Sequence, residues 1–406
     1  MACTGTSDPA RRTLLVTKVP SREEMIDRIS QLAPQLRKNA TWSDEHRRLP
    51  DDSVDALAEA GVFRMRVPKR YGGFEADTRT LVDVTAELGR ADGSLSWVAS
   101  VYSIPTWMVG LFPDEVQDEV FAKPNVRVCG TLSPSAMAAP ADGGIVVNGR
   151  WGFMSGAAHS DWQEIVAVLV APDQEPLPVM ALVPMSELQV VDDWHTSGLR
   201  GTGSVSTIAQ DVFVPQARVL PLPAVLQGQS ASQRNADSPM YRAPLLPVAS
   251  ASSVGTLVGL SRAAREAFLD RLPERKITYT NYAHQAEATV THLQVADAAM
   301  RGDEAEFHAH RLAALVDGKC ADGSAWTLEE RCRARADMGA VVTRAKESVD
   351  ILSTGSGGSS IYDGVPIQRI QRDVHAAHLH ALMHPNTNAE LYGRVLCGQE
   401  PNTLYL

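Results

Sequence analysis

The spacing of hydrophobic residues along this chain changes its period twice, which limits the folds open to it. Apolar residues recur at helical intervals over residues 21–121, residues 126–235 hold short β-branched segments between turns, and the remainder returns to long helical stripes. We therefore expect an α+β protein with an N-terminal helical domain, a central β-barrel and a C-terminal helical bundle. The predicted boundaries are 1–20 for a disordered or loosely packed N-terminus, 21–125 for the helical domain, 126–235 for the barrel and 236–406 for the bundle.

Local signals predict where some of these elements begin or turn. Ser21 and Glu24 form the S-x-x-E pattern of a capping box at the start of the first helix. Asn148-Gly149, between IVV and RWGF, predicts a two-residue hairpin turn because both residues tolerate positive φ. Near the end of the chain, the pattern predicts a final helix that begins at about Ile367 and carries a group of histidines.

Composition and charge exclude several functions. The 406 residues carry 48 acidic and 38 basic side chains, a formal net charge of -10, and no block of lysines and arginines. Nucleic acid and anionic membrane are therefore not expected as partners. The longest apolar run, residues 165–171, is too short to span a bilayer, and the N-terminus lacks the apolar region of a signal peptide. Five scattered cysteines without a C-x-x-C pair predict a reduced, cytoplasmic setting.

The usual nucleotide-phosphate motifs are not found in the sequence. Residues 198–204, GLRGTGS, are rich in glycine but lack the G-x-G-x-x-G order, and no G-x-x-x-x-G-K-[ST] motif occurs. The sequence therefore gives no evidence of an NAD(P)-binding Rossmann domain or of a P-loop.

The histidines of the last predicted helix allow three interpretations. His380 and His384 stand four residues apart, as a zinc-binding pair could, but no H-E-x-x-H motif accompanies them and we predict no metal. On a helix they would share a face with Asp373, and that face could line a pocket. Because histidine titrates near neutral pH, one of them could act as a base; a hydrogen-bonded core histidine is the alternative.

The segment Trp151-Gly-Phe-Met-Ser-Gly156 combines large aromatic rings with a Ser-Gly step. Trp151 and Phe153 could form a flat apolar wall, with the Ser155 hydroxyl and nearby backbone amides exposed at a turn. Such a wall suits a planar heterocycle. The alternative is that Trp151 belongs to the barrel core and Ser155 only caps a turn.

Three segments together resemble the acyl-CoA dehydrogenase superfamily: LPDDSVDALAEAGVFRMRVPKRYGG, WGFMSGAAHSDW with SGLRGTGSVSTIAQDVFVP, and QRIQRDVHAAHLHAL. The resemblance extends over about residues 21–400. It implies a helical domain, β-barrel and helical bundle that assemble as a homo-oligomer, usually a tetramer, with flavin between barrel and bundle.

Within that superfamily, the late helix resembles one branch more than the other. Common acyl-CoA dehydrogenases place a catalytic glutamate shortly after an Arg-Asp pair; here Arg372-Asp373 is followed by no carboxylate before Glu390. The two-component flavin-dependent monooxygenases instead place a histidine seven residues after the aspartate, as His380 follows Asp373. They are also similar in the Ser-Gly step at Ser155.

The resemblance implies an enzyme that uses FADH2 or FMNH2, supplied by a separate NAD(P)H:flavin reductase, and O2 to hydroxylate a small aromatic or heteroaromatic metabolite in secondary metabolism. Oxygen would react through a flavin C4a-hydroperoxide, with His380 as the base and Ser155 near flavin N5. The implied cofactor-binding residues are Trp151, Phe153, Ser155, Gly156, Arg200, Ser204, Gly357 and Gly358. The implied substrate-binding residues are Ser133, Trp107, Arg242 and His384.

Three other functions stay open at this point. An amine N-hydroxylase would use the same scaffold, and an acyl-CoA dehydrogenase could carry its base on an earlier helix. A flavin-free scaffold protein is the non-enzymatic possibility, and the intact WGFMSG and RDVHAAHLH segments argue against it.

Overall fold

The computed structural model describes residues 19–406. The prediction of a loosely packed N-terminus falls almost entirely outside these residues. The first five helices precede all the strands, as the helical spacing predicted; they are α1 (Arg22–His46), α2 (Asp51–Ala60), α3 (Thr78–Ala91), α4 (Gly93–Val109) and α5 (Asp114–Val120). The capping box forms as predicted, with Ser21 Oγ accepting from Glu24 N and Ser21 N donating to Glu24 Oε2.

The middle of the chain folds into one mixed sheet of seven strands, in the spatial order β5-β6-β2-β1-β3-β4-β7. The strands are β1 (Val128–Ala141), β2 (Gly144–Met154), β3 (Trp162–Leu169), β4 (Leu177–Pro184), β5 (Gln189–Val191), β6 (Val205–Pro215) and β7 (Val219–Pro221). Only β1 and β3 pair in parallel. The predicted closure into a barrel is wrong, because β5 and β7 are short edge strands that do not pair with each other.

The predicted hairpin turn at Asn148-Gly149 is also wrong. Both residues lie inside β2, at a register shift between β2 and β6, where the Asn148 side chain bonds Asp211. The turn lies six residues earlier, at Asp142-Gly143, with Ala141 opposite Gly144. The Asp142-Gly143 dipeptide is also a turn-forming sequence, and it makes the turn between β1 and β2. Pairing of β2 with β1 and β6 keeps Asn148-Gly149 within the strand.

The short helix α6 (Leu222–Leu226) follows β7 and packs mainly on β4 and β7. The C-terminal bundle is formed by the α-helices that come after it, which are α7 (Leu245–Ser253), α8 (Gly255–Arg271), α9 (Thr289–Asp322), α10 (Leu328–Gly355), α11 (Pro366–His378) and α12 (Pro385–Leu396). The sheet has a buried cluster on each side: Val128 and Val166 pack in the cluster that contains the bundle, whereas Cys129 and Ile165 pack with α1 and α2. Both faces of the sheet are thus covered.

The final predicted helix is interrupted, which corrects the shared histidine face. The helix α11 ends at His378, His380 lies in the following turn, and His384 immediately precedes α12. Pro385 separates His384 from α12, since a residue before proline is driven out of the helical region; His384 has φ -56° and ψ 118°. His380 and His384 are therefore not successive positions on one helix face.

Within residues 19–406, no helix combines the length and apolar character that a bilayer crossing would require. In the same residues, no three His, Cys, Asp or Glu side chains are grouped as a metal ion would need.

The N-terminal helices join the bundle where α3 crosses α8 at close range. A methyl group at Gly259 of α8 would collide with the carbonyl of Ala86, and one at Gly255 would collide with the Thr85 hydroxyl. Glycine at these positions lets the two backbones touch, and the contact joins the first and last thirds of the chain.

We expect Gly259→Ala to destabilise the fold by roughly 2 kcal/mol, because the α3 backbone cannot move away from the added methyl group. Chemical denaturation of the two proteins measures this difference. The matched control is Gly318→Ala in α9, where nothing lies within 4 Å of the added methyl group. It should be neutral or stabilising by up to about 1 kcal/mol. Equal stability of the Gly259→Ala variant and the unchanged protein would contradict the close crossing.

Candidate active site

Ser155 lies directly after β2, in a backbone that departs from regular strand geometry. Phe153 has φ 63° although it is not glycine, and Gly156 has φ 73°. The strand pairing with β6 shifts register between Trp151 and Met154. These departures turn Ser155 inward, where it is 5% exposed, and leave the Phe153 ring 74% exposed. Strained backbone of this kind is held by its surroundings and is common at functional sites.

Three buried hydroxyl groups form a continuous row that begins at Ser155. Its Oγ lies 2.7 Å from Ser204 Oγ, which in turn lies 2.7 Å from Thr202 Oγ1. Thr202 Oγ1 donates to the carbonyl of Leu199 over 2.7 Å. On its other side, Ser155 Oγ accepts a hydrogen bond of 3.2 Å from Trp97 Nε1 in α4. The Ser155 hydroxyl is thus positioned from two directions.

The loop that carries this row is fixed to α11 by one short hydrogen bond. Leu199 N donates to Asp373 Oδ1 over 2.6 Å, which holds Leu199 at a φ of 50° that a branched side chain rarely adopts. Gly198 leaves no room for a side chain against the carbonyl of Arg372. Arg372 itself donates to the Ser197 carbonyl and forms a bidentate pair with Asp44 of α1.

Asp373 is buried, and burial raises the pKa of its carboxyl group to about 7. The nearby carboxylate of Asp92 raises this pKa further, whereas the bond from Leu199 N and the charges of Arg369 and Arg372 lower it. The pKa of Asp92, which caps α4, is itself raised by burial. The carboxyl groups of Asp373 and Asp92 therefore lie near each other in a region of low polarity.

His380 contacts the same Trp97 that donates to Ser155. The centroids of the Trp97 and His380 rings are 5.3 Å apart in an edge-on arrangement. The histidine has a solvent-exposed surface, yet the surrounding protein lowers the pKa of its imidazole to about 4 by desolvation. At this pKa the imidazole is neutral at physiological pH, with a ring nitrogen able to accept a proton.

Further open hydrophobic surface lies next to these groups. Phe153 packs edge-on against Trp194 at 5.8 Å, and Leu379, adjacent to His380, is 72% exposed. A hydroxyl, an imidazole and uncovered apolar side chains are the features that a planar, partly polar ring system would contact.

Gly357 and Gly358 lie in a second region, after the end of α10. Gly357 has φ 64°, and its neighbour Ser359 accepts hydrogen bonds from Arg271 and Arg275. Arg271 Nη1 is buried without a partner, and desolvation together with the charge of Arg271 lowers the pKa of Arg275. The two guanidinium groups line an open cleft with Asp270, Glu274, Lys276, Thr278 and Ser359.

Three predicted binding residues are corrected by the structure. Trp151 is completely buried in the sheet core with its indole N–H on the Val166 carbonyl, so no ring surface is left for a cofactor. Trp107 is also buried, stacked on Tyr241 and bonded to the Met240 carbonyl. Arg242 donates to the Cys320 and Ala321 carbonyls at the end of α9 and to the Asp237 carbonyl, so it closes a helix end.

The other predicted residues keep untested roles. Arg200 donates to the carbonyls of Asp44 and Thr196, which fixes the loop of residues 198–204 to α1. Ser133 is exposed on an irregular part of β1. His384 is half-buried with Nδ1 unpartnered, and its ring centroid lies 6.3 Å from that of His378.

Sequence reasoning missed Trp97 and Thr202. It also missed that Asp373 holds the loop of residues 198–204 by accepting from Leu199 N. Trp97 lies in a helix that is apolar on all sides, where periodicity does not distinguish one face. Thr202 was inside the glycine-rich segment but matched no known phosphate motif. The Arg-Asp pair was noticed for its spacing to His380, and that spacing alone gave no indication of the bond to Leu199.

Comparison with known proteins agrees with this fold. The family descriptions "Acyl-CoA dehydrogenase, N-terminal domain" and "Acyl-CoA dehydrogenase, C-terminal domain" match residues 22–127 and 251–385. The chain is 31% identical over 373 residues to the flavin-dependent monooxygenase oxygenase subunit HsaA of Rhodococcus jostii (strain RHA1), covering 91% of this chain and 97% of that protein. It is 31% identical over 394 residues to the oxygenase component of FADH(2)-dependent resorcinol hydroxylase from Rhizobium sp. (strain MTP-10005), covering 94% and 96%.

Solved structures give the same result. The crystal structure of the HsaA monooxygenase from M. tuberculosis superimposes with a TM-score of 0.88 at 28% identity, covering 95% of this chain and all of that one (100%). XiaF from Streptomyces sp., in complex with FADH2 and glycerol, gives 0.87 at 29% identity, with coverages of 94% and 97%. The chain belongs to the acyl-CoA dehydrogenase family. Within that fold it is a flavin-dependent monooxygenase, an enzyme that uses reduced flavin and O2.

Asp373→Asn should remove a pH dependence of stability, because asparagine can still accept from Leu199 N but does not titrate. Because its pKa is raised in the folded protein, Asp373 contributes to the free energy of unfolding in full below its unfolded pKa of about 3.9. This contribution is lost as the pH rises to about 7. Relative to the unchanged protein, the variant's free energy of unfolding should rise over this range by up to roughly 4 kcal/mol. Urea denaturation at about pH 4.5, 6 and 7.5 measures the difference. A difference that does not change with pH would contradict the raised pKa.

Proposed function

We propose that this protein is the oxygenase component of a two-component monooxygenase that hydroxylates a small aromatic or heteroaromatic compound at the Ser155–His380 site. The observation that carries the proposal is the placement of Trp97, which donates to Ser155 and packs against His380. One side chain thereby sets the positions of a hydroxyl group and an imidazole that lie 225 residues apart in the sequence.

The residues present fit a reduced flavin. Ser155 offers a hydroxyl oxygen, and the exposed ring of Phe153 offers apolar surface beside it. Reduced flavin supplies the activation of O2, here proposed to proceed through the C4a-hydroperoxide. XiaF, which is similar over nearly its whole length, was solved with FADH2, and either FADH2 or FMNH2 satisfies the contacts described.

His380 would hold or accept the substrate proton. A phenol or an aromatic N–H becomes a better nucleophile as its proton moves to a base. The lowered pKa keeps the imidazole neutral, so its acceptor nitrogen is available across the physiological range. Relatives named resorcinol hydroxylase, p-hydroxyphenylacetate 3-hydroxylase and indole-3-acetate monooxygenase act on aromatic compounds, which supports this substrate class.

The cleft near Gly357 would bind flavin phosphate. Burial, and to a smaller extent the like charge of Arg271, lower the pKa of Arg275, and Arg271 Nη1 is buried without a partner. An anion with several acceptor oxygens would bond Arg271 Nη1 and stabilise the charged form of Arg275. Backbone N–H groups near Gly358 could donate to the same anion.

Partners and setting follow from the same proposal. A separate NAD(P)H:flavin reductase would supply the reduced flavin, as the name "oxygenase component" implies for the relatives. A homo-oligomer, in the form of a tetramer, is supported by α9, whose Leu293, Met300 and Phe307 are each at least 60% exposed on one stripe.

A cytoplasmic location is supported by the unpaired cysteines Cys129, Cys320, Cys332 and Cys397 among the described residues. A biosynthetic role is supported by a relative named pigment production hydroxylase.

The first test uses the whole protein with reduced FAD or FMN, O2 and a panel of small phenols and indoles. His380→Asn should bind reduced flavin as the unchanged protein does, while product formation falls by about a hundredfold or more and hydrogen peroxide is still released. Product is measured by chromatography and peroxide by a coupled assay.

His375→Asn is the matched control, since this exposed histidine of α11 bonds Asp350 and lies outside the site. It should leave product formation unchanged. Full product formation by His380→Asn would exclude His380 as the base.

Ser155→Ala should lower coupling between oxygen consumption and product, because the hydroxyl oxygen beside the flavin is lost. We expect the peroxide released per O2 consumed to rise several-fold, because losing one hydrogen bond to the flavin costs on the order of 1 kcal/mol of stabilisation. An oxygen electrode and peroxide assay measure the ratio. Ser186→Ala, at an exposed serine of the turn after β4, is the control. Unchanged coupling in the Ser155→Ala protein would remove this serine from the mechanism.

A further inference from the structure

The direction of each hydrogen bond in the Ser155 row follows from counting protons. The carbonyl of Leu199 can only accept, so Thr202 Oγ1, 2.7 Å away, must use its single proton there. The bond between Ser204 and Thr202 must then be donated by Ser204. With the Ser204 proton used, the bond between Ser155 and Ser204 must be donated by Ser155.

The remaining contact of Ser155 is consistent with this direction. An indole N–H can only donate, and Trp97 Nε1 directs its proton at Ser155 Oγ over 3.2 Å. The hydroxyl of Ser155 therefore has its proton committed to Ser204 and one lone pair committed to Trp97. What is left to offer a bound molecule is a second lone pair, which is an acceptor.

The end of the row cannot easily reverse. The Leu199 carbonyl receives Thr202 Oγ1, Thr202 N and Trp194 Nε1, so it is surrounded by donors. Its own amide is held by Asp373 over 2.6 Å. Ser155, Ser204 and Thr202 are all at most 5% exposed, so water does not compete for their protons.

We propose that Thr202 and Ser204 are positioning residues that make Ser155 a hydrogen-bond acceptor toward flavin N5, so that the site selects reduced over oxidised flavin. This inference rests on the proposed function. Reduced flavin carries an N5–H donor, which meets the free lone pair of Ser155. Oxidised flavin has an unprotonated N5, and two acceptors facing each other form no bond. The same row therefore holds the flavin that arrives from the reductase and releases the oxidised form.

The test measures equilibrium binding of FAD and FMN, each oxidised and each reduced under anaerobic conditions, to the full chain. The unchanged protein should bind the reduced form at least about tenfold more tightly, the value of one hydrogen bond gained and one acceptor clash avoided. Thr202→Val keeps the shape of the side chain and removes the hydroxyl. Ser204 is then free to donate to Ser155, whose proton can turn toward the flavin.

The ratio of the oxidised to the reduced dissociation constant should therefore fall toward one in Thr202→Val, with oxidised flavin binding more tightly than before. Ser204→Ala should lower the ratio in the same way, because the Ser155 proton loses its acceptor. Thr202→Ser keeps the hydroxyl and should restore the original ratio. Partial unfolding lowers the number of sites for both forms together and does not produce this pattern.

The outcomes separate the two proposals. No binding of reduced flavin by the unchanged protein would overturn the proposed function and this inference with it. A preference for reduced flavin that persists unchanged in both Thr202→Val and Ser204→Ala would overturn the inference alone. An unchanged protein that binds both redox forms equally would also overturn it.

Discussion

The hydrogen bond from Leu199 N to Asp373 joins the two halves of the candidate site. It connects the loop between β5 and β6 to α11 of the bundle, and its acceptor is a buried carboxyl group. The hydroxyl row to Ser155 begins at the carbonyl of the same Leu199, and His380 follows Asp373 by seven residues. If this bond were lost, the loop of residues 198–204, which bonds Ser155, would no longer be fixed to the segment that carries His380. Burial of a titratable group is the cost of that fixed geometry.

Much of the fold follows from hydrophobic period, because burying a helix stripe or a strand face is a local requirement. The helices before β1, the positions of the long strands and the final bundle agree with the pattern. Closure and turns do not, because they depend on partners elsewhere in the chain. Asn148-Gly149 carries a turn sequence, yet pairing on both sides of β2 keeps it within the strand. Likewise, α11 ends before His380, and Pro385 keeps His384 out of the helical region.

The site was predictable only where a residue could be matched to a resembling family. Ser155 and His380, which the resemblance named, both contact Trp97. Trp151 was predicted as part of an aromatic wall and Trp107 through the resemblance, and neither argument distinguishes a ring in the core from one at a surface. Thr202 is an ordinary residue whose importance comes from one carbonyl and one hydroxyl placed beside it by the fold.

The environment of His380 places opposing demands on its proposed role as a base. Desolvation lowers the pKa of its imidazole to about 4, which keeps it neutral but makes it a weak acceptor for the proton of a phenol, whose pKa is about 10. Complete proton transfer would require the imidazolium to be stabilised after substrate binds. A phenolate within a few ångströms, in the same poorly solvated region, provides that stabilisation, because opposite charges attract strongly there. In its proposed role, His380 would therefore become a stronger base when the substrate binds and stay unprotonated when no substrate is bound.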